Sequence, residues 1–189
     1  MNTLMKTFLL FLCVSIMSFS FGQEFLGIKV DGKLDSVIAK FKLKGFTLKL
    51  TESKKDSAIM EGMAGNSRVE IFISATPITF KVWRISILMP KEDSWNSLKS
   101  SYDRYLGILK QKYGEPSKSF DFFIAPFKRG DGNEMQGVRS EKCVYSSFWS
   151  KVALTVEISQ NDQVRIAYEN ILNAALGDEE KKEINGKIF

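Results

Sequence analysis

The chain contains no histidine. That absence removes the commonest general base, every Ser–His or Cys–His nucleophile pair, and most zinc sites. Cysteine is nearly as scarce, with Cys13 and Cys143 alone among 189 residues. Cys13 lies in an N-terminal segment that reads as a cleaved leader, so a mature chain would keep Cys143 and could form no intramolecular disulfide. No Ser-x-x-Lys dyad, Gly-x-Ser-x-Gly elbow or phosphate-cradling glycine loop occurs. Long apolar runs are also missing: Phe8 to Met17 is the strongest, well short of the roughly 20 residues a spanning helix needs. The formal charge of +5 is mild and carries no dense basic stripe, which argues against nucleic acid as a partner.

What is present at the N-terminus has the layout of a secretory signal. Lys6 precedes the apolar run, and Ser20 and Gly22 supply the small residues of a cleavage site. The expected division is therefore a signal peptide over 1–22 and one domain over 23–189. Phe11 and Leu12 before Cys13 exclude a lipobox. Localisation is expected to be periplasmic or secreted. Aromatic and apolar content is ample for a packed core, and the remaining length suits one compact domain.

Periodicity then assigns the elements. Leu34, Val37, Ile38 and Phe41 recur at helical spacing and Gly45 closes the segment. Phe46 to Leu50 and Ser57 to Met63 read as strands. Val69, Ile71 and Ile73 alternate with Glu70, Phe72 and Ser74, and Phe80 to Met89 reads as a central strand. The clearest helix runs from Ser94 to Tyr113, with a stripe of Trp95, Leu98, Tyr102, Tyr105, Leu106, Leu109 and Tyr113, ended by Gly114 and Pro116. Phe120 to Ile124, Cys143 to Trp149, Val152 to Ile158 and Val164 to Tyr168 read as strands, with Asn161-Asp162 as a hairpin turn. A short helix follows at Ile171, Leu172 and Ala175, and Glu179 to Glu183 reads as a solvated tail.

The expected fold class is α+β, an antiparallel sheet packed against one long helix. The helix–strands–helix–strands order allows a duplicated unit, with halves 23–90 and 91–176 and a polar tail over 177–189; KGF at Lys44 to Phe46 and KYG at Lys112 to Gly114 are its thin identity. FLGIKVDG at Phe25 to Gly32, KGF, the Trp95…Tyr102…Leu109…KYGEP pattern and VRIAYENILN at Val164 to Asn173 resemble small uncharacterised exported proteins of Bacteroidetes. SFGQ at Ser20 to Gln23 is similar to signal-peptide ends of that group. The resemblance implies location and fold flavour and supplies no active site.

Few residues offer chemistry. Cys143 sits beside Lys142, but neighbouring strand residues point to opposite faces, so a buried structural thiol is the expectation. Asp131-Gly132-Asn133-Glu134 has too few oxygen ligands at set intervals for calcium and reads as a polar turn. No metal and no cofactor is expected. Binding is sought at Phe122, Phe123, Phe127, Lys128 and Arg129, where aromatic anchors and cations meet beside a glycine stretch. The opposing reading makes the phenylalanines core residues of a strand. Three functional classes remain: a non-catalytic exported binding or structural module whose partner is an envelope or extracellular protein, a hydrolase using paired carboxylates, and a membrane-surface binder through Phe127-Lys128-Arg129.

Overall fold

The computed structural model describes residues 23–186. The leader assigned to 1–22 lies outside the described residues. A two-residue hairpin opens the domain: β1 (Glu24–Phe25) pairs with β2 (Ile28–Lys29). Leu26 and Gly27 make its turn at φ 53° and 76°, so the apolar FLGIKV run folds back on itself instead of extending. Helix α1 (Leu34–Leu43) then buries Leu34, Val37 and Phe41, the spacing the sequence shows. After β3 (Thr47–Leu48) come β4 (Ser57–Ala64), β5 (Ser67–Ala75) and β6 (Val82–Lys91). Helix α2 (Trp95–Tyr113) begins at Ser94, whose hydroxyl accepts from the Ser97 amide at 3.2 Å. It ends at Gly114, φ 78°. β7 (Lys118–Phe123), the short α3 (Glu134–Arg139), β8 (Cys143–Trp149), β9 (Leu154–Ser159) and β10 (Gln163–Glu169) follow, and α4 (Ile171–Gly186) closes the described chain.

The domain is α+β, with an eight-stranded antiparallel sheet in the order β3-β4-β5-β6-β10-β9-β8-β7. Four strands run outward from each side of the β6–β10 junction. Instead of one long helix there are four among the described residues, and α1, α2 and α4 all contribute buried residues. No helix among the described residues is long and apolar enough to cross a membrane.

Alternation sorts the side chains of the sheet. Met60, Ile71, Ile73, Ile85, Ile87, Ile166, Val156 and Tyr145 share one face and join Phe41, Leu98 and Leu109 in one buried cluster. Aromatic and hydroxyl contacts finish this layer. Trp95 stands edge-on to Tyr145 at 5.2 Å, and the Tyr102 hydroxyl meets Ser147 Oγ at 3.0 Å, which in turn meets Ser119 Oγ at 2.9 Å. The tyrosine tips are thus satisfied inside the core boundary.

Glu179 to Glu183 departs from the sequence expectation. It belongs to α4, and Glu180 is buried. Its carboxylate accepts from the Ile78 amide at 2.7 Å, the Thr79 amide at 3.2 Å and Thr79 Oγ1 at 2.6 Å. Asn173 donates to the Val82 carbonyl at 2.8 Å, and Gly177 lets α4 approach Thr76. A charge run read along the chain looks solvated; read at helical spacing, 173, 177 and 180 make one inward face. Burial pushes the Glu180 carboxyl up, but its hydrogen bonds to Thr79 and Ile78 outweigh that and hold it below the ordinary glutamate value of 4.5. The stabilisation is therefore complete above the unfolded-state value and fades as pH falls through the lowered one. Glu180→Ala is expected to cost about 2 kcal/mol at neutral pH, or about 5 °C in Tm, because two amides lose a charged acceptor. Calorimetry checks this, and the gap from wild type should shrink below pH 4.5.

Candidate functional site

The second face of the sheet carries no helix across its centre among the described residues. By register it presents Phe72 and Ser74 from β5, Arg84, Ser86 and Leu88 from β6, Arg165 and Glu169 from β10, Thr155, Glu157 and Ser159 from β9, and Phe148 from β8. A hollow of about 530 Å³ runs from Phe72, Trp83 and Leu88 toward Val138 of α3 and Ser159. A second, of about 510 Å³, extends from the same floor toward Phe148, Lys118 and Glu169. Arg84, Glu157 and Arg165 line both, so the two form one groove across the sheet centre.

Charge on the floor alternates. Arg165 is ion-paired with Glu157 directly across the β9–β10 ladder. Arg84 Nε stands 3.4 Å from Glu169 Oε1 across β6–β10. That contact is too poorly directed to count as a hydrogen bond, and Arg84 Nε is buried from solvent without a partner. Among the described residues the only other orphaned buried side-chain atom is Ser159 Oγ, and it lines the same groove. Buried polar atoms without a hydrogen-bond partner are rare in folded proteins, and both of these belong to residues that line one hollow.

Glu157 and Glu169 each face an arginine across the ladder, so both carboxylates are engaged in ion pairs on the groove floor. Among the described residues no three Cys, Asp or Glu side chains converge as a metal site.

The five residues expected at the binding site separate. Phe122, 48 % exposed, points to the open face with Phe120, which lies 6.2 Å from Phe148 ring to ring. Phe123 points to the helix side, 5.2 Å from Trp95 and 5.8 Å from Tyr145. Phe127 packs with Phe123 over Gly137 of α3, where a Cβ would come within 3.2 Å of the Phe127 ring. Arg129 also lies on the helix side: its Nε donates to the Tyr145 hydroxyl at 3.0 Å, and Nη2 donates to the Asp121 carbonyl at 3.0 Å. The Tyr145 and Asp121 contacts hold its guanidinium above its ordinary value. Lys128 is exposed, and its amide donates to Asp131 at 3.0 Å. Phe123, Phe127 and Arg129 thus gather around Tyr145 and α3, and Phe122 stands across the sheet from them.

The polar turn uses its own oxygens. Asp131 accepts from the Lys128 and Asn133 amides, and the buried Glu134 accepts from the Gly130 amide at 2.7 Å. Arg84, Glu157, Arg165, Glu169 and Ser159 escaped the sequence reading. The turn between β9 and β10 is three residues, 160–162, which pairs Glu157 with Arg165; the two-residue Asn161-Asp162 turn expected from the sequence would have set Glu157 opposite Ile166 instead. Cys143 is half-buried, and burial pushes its thiol up to about 12. At pH 8, alkylation of Cys143 is expected to run at least about a hundredfold slower in the native protein than in denaturant; equal rates would contradict the packing around β8. No protein-family model, no curated protein and no solved structure matches the chain.

Proposed function

We propose that this chain is an exported, non-catalytic binding module of the cell envelope, and that the open sheet face is its binding surface. One observation carries the reading: both orphaned buried polar atoms of the described residues, Arg84 Nε and Ser159 Oγ, line a single groove. Around them, Phe72, Trp83 and Leu88 give apolar area, and the arginines and glutamates of the floor give charged groups that orient a bound partner. Export is supported by the leader-like order of Lys6, the apolar run and Ser20-Phe21-Gly22.

The helix-plus-four-strands order, α1 with β3 to β6 and α2 with β7 to β10, supports a duplicated unit as the origin of this sheet. Duplication gives the groove its position, because it falls where the two copies of the unit meet.

The test compares three immobilised proteins against one envelope extract, with captured proteins quantified by mass spectrometry. Wild type and Lys42→Glu, altered on the exposed side of α1, should recover the same partner. Phe148→Ser with Thr155→Lys, altered on the groove floor, should recover it at least about tenfold less. Equal recovery by all three would remove the open face from the reading, and recovery of nothing above a blank surface would remove the binding module itself.

A further inference from the structure

The two ends of the sheet differ. At one end β3 is two residues long and passes directly into a 3-10 turn at Leu50–Glu52, a short edge that offers no template. At the other end β7 runs six residues, Lys118–Phe123, and no strand among the described residues lies beyond it. The Ile124 amide donates to the Lys142 carbonyl at 2.7 Å, which fixes the phase of the β7–β8 ladder. Even-numbered residues of β7 therefore bond inward to β8, and the amides and carbonyls of Ser119, Asp121 and Phe123 point outward. The Arg129 guanidinium agrees with that phase, since it reaches the Asp121 carbonyl from outside the sheet.

We propose that β7 is a strand-addition edge, taking an extended acidic peptide with alternating aromatic or aliphatic residues as a further strand beside Ser119, Asp121 and Phe123. This deepens the binding-module reading and rests on it, naming the class of partner. The open-face side of the edge is aromatic: Phe120 and Phe122 are 41 % and 48 % exposed and stand edge-on at 6.3 Å, ready to receive alternate apolar side chains. Lys118 and Lys142 bracket that aromatic pair, are exposed, and carry no ion pair among the described residues. On the other side of the edge stands Arg129. Its guanidinium also pairs with the Asp121 carboxylate at 3.3 Å and with the Tyr145 hydroxyl, so an incoming amide that takes the Asp121 carbonyl displaces one contact and leaves the arginine anchored.

Lys118 and Lys142, the cations beside the edge that carry no ion pair among the described residues, favour an acidic partner. A second copy of this chain is disfavoured by the same groups, because it would bring two sets of Lys118 and Lys142 to one seam. Its folded loops around Arg129 would also meet, whereas a single extended strand displaces one contact.

The probe is a labelled peptide of about eight residues, alternating phenylalanine with glutamate or threonine, a length within the ordinary range of strands. It is compared with the same peptide N-methylated at alternate residues, which cannot form the ladder. The unmodified peptide should bind at least about tenfold tighter than the methylated one, and should slow hydrogen exchange at Ser119, Asp121 and Phe123. Asp121→Pro removes the outward amide and should abolish binding with Tm retained, while Asp121→Asn should bind as wild type. Equal binding of both peptides overturns the ladder. Protection that appears at Thr155 and Arg165 instead overturns the edge and leaves the open-face reading standing. Binding to neither site overturns the strand proposal, and its coincidence with an empty envelope capture sinks both. Concentration-dependent dimers lost in Asp121→Pro would make a second copy the occupant and overturn the peptide.

Discussion

The antiparallel pairing of β6 with β10 is the constraint on which the rest depends. It joins two four-stranded arrays into one sheet and fixes both faces at once. Ile87 opposite Ile166 and Ile85 opposite Tyr168 are buried under the helices. The alternate positions, Arg84 opposite Glu169 and Arg165 opposite Leu88, are the floor of the groove. A slip of one residue would exchange the two sets, burying arginine under α2 and exposing isoleucine, so the core specifies the site.

The two faces are held by different physics. The helix side gains from close-packed aliphatic and aromatic area, with hydroxyls threaded from Tyr102 through Ser147 to Ser119. The open side gains little from its ion pairs, since partly exposed pairs contribute about 0–1 kcal/mol. Arg84 Nε and Ser159 Oγ are a net cost there. The open face thus carries its ion pairs at the centre and aromatic rings, Phe120, Phe122 and Phe148, at its margin. The C-terminal helix works in the opposite direction. Through Glu180 and Asn173 it ties the end of the chain to the β5–β6 turn and the start of β6, bracing the strand that carries Arg84.

Much of the fold was legible because burial leaves a period. The 3.6-residue stripe of α2 and the alternation of Leu154, Val156 and Ile158 follow from one face being dry, whereas Val152, expected in the same strand, lies in a 3-10 turn before it. Two kinds of feature were not legible. Glu180 reads as a tail residue because its partners, the Ile78 and Thr79 amides, lie about a hundred residues away in sequence, and backbone donors leave no mark in side-chain pattern. The groove was illegible for a related reason. FDFFIAPFKR is contiguous in sequence, but strand alternation sends Phe122 and Phe123 to opposite faces, while Arg84, Glu157, Arg165 and Glu169 are assembled from three strands. Local composition shows aromatic and basic content. Which face receives it depends on a register that only the pairing sets.

Native-state hydrogen exchange along the whole sheet tests the central role of the β6–β10 junction most directly. Amides bonded across that junction should exchange last, with one common opening free energy for both arrays, equal to that of global unfolding. Earlier exchange at the junction, with β4–β5 and β8–β9 still protected as independent units, would contradict the account.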